Sequence, residues 1–403
     1  MRDKKILFLE ASSGGGHISI TTAIIQALQK KAPGIQPIRV DVIPPFVHKF
    51  YQLTSRQFVN AFMLFYKATD NQHAEFFASK FSANTKKLTK TIIENQPDII
   101  ISNSYLGLNE VPKIIEKMDK SIPFLVFVPD PFTFHNLYLS KKATLTLVST
   151  LTSYQAALNN GIKPEKLKIT GHPIREEFRQ IPPDIKTHRK NLGLDPDKFT
   201  ILFGGSGHGA EKTLEILMHL GAKPGDELTN RLIRSANLDY KTYYKLFLKV
   251  FNRQKKNIPE IQAICVCGDN TELKEELEML NFPSYIQPII HQQSNNMADL
   301  MHAADLIVGK AGPNALFESI MSGKPFIATY HIKGQENGNI DFIRSMQVGF
   351  VEENPQKAAY LIEIIVKNKK LLEYTQKGIS FAKQEHEDAA DKIAKQILSY
   401  IKK

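Results

Sequence analysis

Short apolar runs, each closed by a glycine, proline or polar cluster, recur along the chain at intervals that suit alternating strands and helices. Residues 5–9 form the first run, and a glycine-rich loop, Ala11 to His17, closes it. The period then changes. Ile20, Ala23, Ile24, Ala27 and Leu28 share one helical face, which predicts a helix over 19–31. Residues 39–43, 122–128 and 144–149 read as further strands, and 97–102 as a buried one that ends in polar residues. A helix is predicted over 153–159, with Gly161 as its stop. The same grammar restarts at 199–203, another apolar run. The glycine loop Gly204 to Gly209 follows it, and then a helix from 211. Two glycine loops, each after the first strand of its half, predict an α/β protein of two doubly wound domains facing a cleft. Their expected bounds are 1–180 and 181–381. Pro182-Pro183 and the polar run to Lys198 read as a linker, and 382–401 as a closing helix. Residues 221–259 exceed what one crossover helix needs.

The stretch 304–341 carries the densest candidate chemistry. Residues 306–308 read as a buried strand that breaks at Gly309-Lys310-Ala311-Gly312-Pro313. Asn314 is the expected N-cap of the next helix. Ala315, Leu316, Ile320 and Met321 form that helix's apolar stripe, and Gly323 ends it. Glu318 then lies about one turn inside a helix whose positive end faces a loop, where phosphates bind. A second polar loop, Gly334 to Asn339, follows the strand at 326–329 on the same carboxyl edge, where open α/β sheets hold ligands. Each feature alone also fits an ordinary helix residue or turn.

Composition narrows the class. Of 403 residues, 42% are hydrophobic and 23% charged, as in ordinary globular proteins, and the length favours two domains. No apolar stretch reaches the roughly 18 residues a membrane span needs, and the first apolar run is too short for a signal peptide. Cys265 and Cys267 alternate on one strand face, without a metal-binding pattern, which points to a reducing cytoplasm. The net charge of +11 suits an anionic partner. No helix-turn-helix, zinc finger or aromatic-basic signature accompanies it, so nucleic acid is not expected.

Taken together, the motifs resemble a known family. SSGGGH after the first strand, the stretch from Asp130 to His135, GGSGHG, and GKAGPNALFES followed by GQENGN are similar to the monogalactosyldiacylglycerol synthase and processive diacylglycerol glucosyltransferase family. These are MurG-like glycosyltransferases of the GT-B fold. The stretch at 130–135 departs from the family pattern by carrying Pro129 where threonine is usual. The resemblance implies an inverting transfer of a hexose from a UDP-sugar to diacylglycerol or a glycosylated diacylglycerol. Glu318 would hold the ribose hydroxyls, while Gln335 and Glu336, with Asn339 beside them, would hold the sugar. Gly205, Ser206, Gly207, Lys310, Gly312, Pro313 and Asn314 would face the diphosphate, and the backbone at Ile286 the uracil. His17 is the candidate base and Asp130 the second candidate; Gly15, Gly16 and His135 line the acceptor side. No metal or other cofactor is expected, because no acidic pair closes a strand and helix N-termini can hold a diphosphate.

The aromatic segment 46–81 faces the lipid acceptor and the membrane surface in that family. Phe58, Phe62 and Phe65 are spaced for one helical face, which a packed core helix would also explain. The resemblance also implies that 382–403 packs back on the first domain and that the protein works peripherally on the cytoplasmic face of an anionic membrane. The alternatives are a MurG-like transfer of N-acetylglucosamine onto a polyprenyl-linked acceptor, or a nucleotide-sugar or nucleic-acid binder without turnover.

Overall fold

The computed structural model describes residues 4–12, 15–44, 66–67, 69–70, 85–118, 121–204, 212–235 and 258–401. The chain divides into two compact units: residues 1–179 with 332–341 and 383–403, and residues 180–331 with 342–382.

The sheet of the first unit contains β1 (Lys4–Glu10), β2 (Ile35–Asp41), β3 (Ile99–Ser102), β4 (Phe124–Phe127), β5 (Leu145–Val148) and β6 (Leu167–Ile169). Their order is β2-β1-β3-β4-β5-β6, and every pair is parallel. Alternate side chains of β1 feed opposite cores, as the two-residue period of a strand requires. Leu7 and Leu9 pack with Leu88, Ile92, Val111 and Val126. Ile6 and Phe8 pack with Ile20, Ile24, Leu28, Ile99 and Ile101. The second of these cores also takes Ala390, Ile393, Ala394 and Ile397 from the helix Ala389–Ile401. That helix is therefore a structural part of the first unit. Truncating Ile393, which is wholly buried, should leave a cavity costing about 2–5 kcal/mol. Urea melts of Ile393→Ala should show a lower midpoint at unchanged slope; an unchanged midpoint would mean that the helix contributes nothing to that core.

The second unit contains β7 (Phe199–Phe203), β8 (Lys223–Pro224), β9 (Ile261–Val266), β10 (Leu280–Asn281), β11 (Ile286–His291), β12 (Leu306–Lys310), β13 (Phe326–Tyr330) and β14 (Gly349–Val351). Six of them form a parallel sheet in the order β11-β9-β7-β12-β13-β14, and β8 and β10 make a separate antiparallel pair. Cys265 and Cys267 are free thiols in its core. Burial pushes the Cys267 thiol up to about 11, so it stays protonated at neutral pH.

Three expectations change. Residues 182–198 are not a linker. They contain the helix Ile185–Asn191, capped by Asp184, whose carboxylate accepts from Lys186 N at 3.0 Å. Arg189 is buried, pairs with Asp305 at 2.8 Å and donates from Nε to Ala303 O at 2.8 Å. A guanidinium anchors this helix where an apolar stripe would usually do so, and an apolar-period reading passes over it. The helix after β12 is Pro313–Met321, with Gly312 as N-cap and Asn314 inside the first turn. Proline takes the first helical position because its missing N–H costs nothing there. The helix after β7 begins at Thr213. Of the segment 221–259, β8 and the helix Asp226–Ser235 are seen, while 236–257 lie outside the described residues.

Candidate active site

An open parallel sheet binds ligands beyond the strand ends where its order reverses. The first sheet reverses between β1 and β3, the second between β7 and β12.

At the first reversal, Gly15 caps the helix Gly16–Lys31 with a left-handed φ of 75°, and His17 is the second residue of that helix. Its Nδ1 lies 2.8 Å from the carbonyl of Asn103, just beyond β3. A carbonyl only accepts, so Nδ1 carries the proton and Nε2 keeps its lone pair. Asn103 Nδ2 donates back to His17 O at 2.8 Å and to Thr21 Oγ1 at 3.1 Å. Asn103 thus holds His17 at its ring Nδ1 and at its backbone carbonyl. Burial lowers its pKa below the usual 6.5, against opposing contributions from the Asn103 hydrogen bonds and the charges of Glu10 and Asp41. Glu10 is itself gripped by Arg39 at 3.0 and 2.9 Å. Sequence reasoning missed Asn103, although polar residues closing an apolar strand at the carboxyl edge were a usable signal.

The loop after β4 carries Asp130 and His135, both buried. His135 serves the fold. Its Nδ1 accepts from Leu137 N at 3.1 Å, so Nε2 bears the proton and donates to Tyr66 O at 3.0 Å. With both ring nitrogens engaged, it has no lone pair to offer an acceptor.

The loop before helix Asn337–Met346 belongs to the first unit and is closed on itself. Glu336 Oε2 accepts from Ile332 N at 2.7 Å, and Asn337 Oδ1 accepts from Gly334 N at 2.9 Å. Gln335 Nε2 donates to Asp130 Oδ1 at 3.2 Å. A Cβ added at Gly338 would lie 2.6 Å from Phe132 Cβ, so only glycine lets the two loops meet this closely. The structure therefore joins Asp130, the second candidate base, to Gln335, expected on the donor side. Asn339 is buried in the first turn of the helix that follows.

At the second reversal the ends of β7 and β12 touch. Gly204 N donates to Val308 O at 3.0 Å, and a Cβ on Gly309 would stand 2.2 Å from Gly204 O. Lys310 is buried beyond a register shift that follows Gly309. Gly312 then starts the helix Pro313–Met321 with no side chain capping it. Glu318 is only 5% exposed, which removes the solvated-helix reading. A group that sequence reasoning overlooked stands at the same edge: His331 Nδ1 lies 2.8 Å from Glu353 Oε1, and Lys212 donates to the Glu353 carbonyl.

Ile286 does not fit its expected role. It pairs with Ile261, which pairs with Phe199, at the amino edge of the sheet. The carboxyl edge of this strand is His291, five residues on, or about 17 Å at strand rise. The resemblance placed the uracil contact in this segment, but a short apolar segment does not say which end of its strand faces the ligand. Gly205, Ser206, Gly207, Phe58, Phe62 and Phe65 lie outside the described residues.

Comparison with known proteins adds to this geometry. Residues 17–174 match the model of the monogalactosyldiacylglycerol (MGDG) synthase family, and residues 239–399 that of the glycosyltransferase family 28 C-terminal domain. The processive diacylglycerol beta-glucosyltransferase of Staphylococcus carnosus is 24% identical over 380 residues, covering 92% of this chain and 87% of that protein. The chloroplastic monogalactosyldiacylglycerol synthase 1 of Arabidopsis thaliana is 25% identical over 375 residues, 90% of this chain but 64% of that protein. The chain thus spans less than two thirds of that plant protein. Among solved structures, HepE of Anabaena in complex with UDP-glucose has a TM-score of 0.54 at 16% identity, covering 98% of this chain and 99% of its own. MurG of Acinetobacter baumannii has a TM-score of 0.56 at 15% identity, with coverage of 98% and 99%. These two likenesses show the fold: GT-B, with two Rossmann-like units.

Proposed function

We propose, for a chain that joins a monogalactosyldiacylglycerol synthase domain to a glycosyltransferase family 28 C-terminal domain, an inverting transfer of a hexose from a UDP-sugar to diacylglycerol or a glycosylated diacylglycerol. The observation that carries this reading is His17, an imidazole with a fixed tautomer at the sheet reversal of the synthase-like unit. Nε2 takes the proton of the acceptor hydroxyl. The hydroxyl oxygen forms the new bond to the sugar's anomeric carbon as the bond to UDP breaks, and UDP leaves with the electron pair. Glu318 holds the ribose hydroxyls. Lys310 and the helix start at Gly312, Pro313 and Asn314 offset the charge that develops on the diphosphate, without calling on a metal. Gln335, Glu336 and Asn339 read the sugar. The test is incubation with a panel of UDP-sugars and mixed lipids, followed by mass analysis. A gain of one hexose on diacylglycerol with release of UDP is expected, and lipids unchanged by every donor would sink the reading.

Such an acceptor stays in a bilayer, so the enzyme works peripherally, on the cytoplasmic face in this reading. Among the described residues no helix is long and apolar enough to cross a membrane. The helix Thr85–Asn95 exposes Lys86 and Lys87. Each should be worth about 1 kcal/mol near an anionic surface. Replacing both with alanine should weaken flotation on anionic vesicles roughly thirtyfold, with neutral vesicles unaffected. Equal binding of both proteins to anionic vesicles would move the membrane contact elsewhere.

A further inference from the structure

From the bond between Asp130 and Gln335, we infer that Asp130 is a positioning residue for the donor sugar, fixing the glutamine that reads it. The inference rests on the reading of Gln335 as a sugar contact. Its physical basis is the donor and acceptor inventory of the two side chains. An ionised carboxylate only accepts, so the group of Gln335 that meets Asp130 Oδ1 at 3.2 Å is the NH2. The amide cannot turn over without setting its carbonyl against the carboxylate. Gln335 Oε1 is therefore held as the outward face of the amide, an acceptor that matches a sugar hydroxyl which donates. An unanchored glutamine would present either face and discriminate poorly between epimeric hydroxyls.

The surroundings make this anchor stiff. Asp130 is buried, which strengthens its hydrogen bond. The loop behind Gln335 is closed by Ile332 N on Glu336 Oε2 and by Gly334 N on Asn337 Oδ1. Gly338 against Phe132 fixes the spacing between the two loops. Gln335 is thus the side chain of its loop that bridges to Asp130, from a frame that does not itself need the bridge. Proton transfer is left to His17.

The two roles separate by substitution. Asp130→Asn keeps an acceptor for Gln335 Nε2 but abolishes a base; Asp130→Ala abolishes both. Calorimetry should compare UDP with UDP-glucose and UDP-galactose, alongside kcat/KM for each donor. Asp130→Ala should retain UDP affinity, lose about tenfold or more of the extra affinity that the preferred hexose confers, and narrow the preference between the two epimers. Asp130→Asn should stay within a few-fold of the wild type. Gln335→Glu alone sets two carboxylates together and should be impaired, whereas Asp130→Asn with Gln335→Glu restores a donor–acceptor pair and should recover. If Asp130→Asn falls as far as Asp130→Ala, or if the epimer preference survives in Asp130→Ala, the positioning role is wrong. A wild type that binds UDP-hexoses no better than UDP also overturns it. A wild type that binds them better yet glycosylates no lipid removes the proposed reaction and leaves the positioning role standing.

Discussion

His17→Ala should turn over about 10²–10⁴-fold more slowly than the wild type while binding UDP as before. The variant deletes the one nitrogen whose lone pair the Asn103 carbonyl leaves open, in a unit separate from Glu318. The pH profile supplies a second check. A base works in its neutral form, and burial holds the His17 pKa below 6.5. The acid limb of kcat/KM should therefore fall below pH 6.5, on the acid side of where an unshifted imidazole would put it. Stability runs in the same sense. Below pH 6.5 the unfolded chain binds a proton at this residue that the folded chain resists, so this contribution weakens the fold as pH falls. Activity within a few-fold of wild type would remove His17 from proton transfer. An acid limb above 6.5 would assign the limb to another group.

Glu318→Ala should weaken UDP binding by about 1.5–3 kcal/mol, roughly 10- to 150-fold, since a carboxylate on two ribose hydroxyls makes charge-assisted hydrogen bonds. The buried carboxylate sits within the helix that starts at Gly312, so Glu318→Gln provides the control that keeps its shape. Titration calorimetry reads both variants. A dissociation constant unchanged in Glu318→Ala would take this residue out of the nucleotide site. Replacement of Gln335 should leave UDP affinity nearly intact and damage only the part that depends on the sugar.

The strands were legible because a buried parallel strand is a short apolar run, and such runs mark β1, β7, β9 and β12 directly. The two reversals followed from glycine loops placed after β1 and β7. What the pattern hides is anything that depends on partners far along the chain. Arg189 stabilises its helix through Asp305, so a segment with no apolar stripe looked like a linker. His17 is oriented by Asn103, and Asp130 is tied to Gln335, across intervals with no local signature. The direction of β11 likewise comes from its pairing with β9, which put Ile286 at the wrong edge for its expected role. Asn314 lost the cap to Gly312 because proline at position 313 already fits the first helical turn.

The core shared by Ile20, Ile24 and Leu28 with Ile393 and Ile397 has a consequence for how the protein is made. A ribosome adding about 5–20 residues per second delivers the helix Gly16–Lys31 well before its partner, Ala389–Ile401. On the order of twenty seconds to a minute, the apolar face of the first unit waits uncovered while the second unit can fold within its own stretch of chain. The first of the two units to enter the growing chain is thus completed after the one that follows it. Nascent chains halted before residue 389 should be the species that chaperones hold and proteases cut.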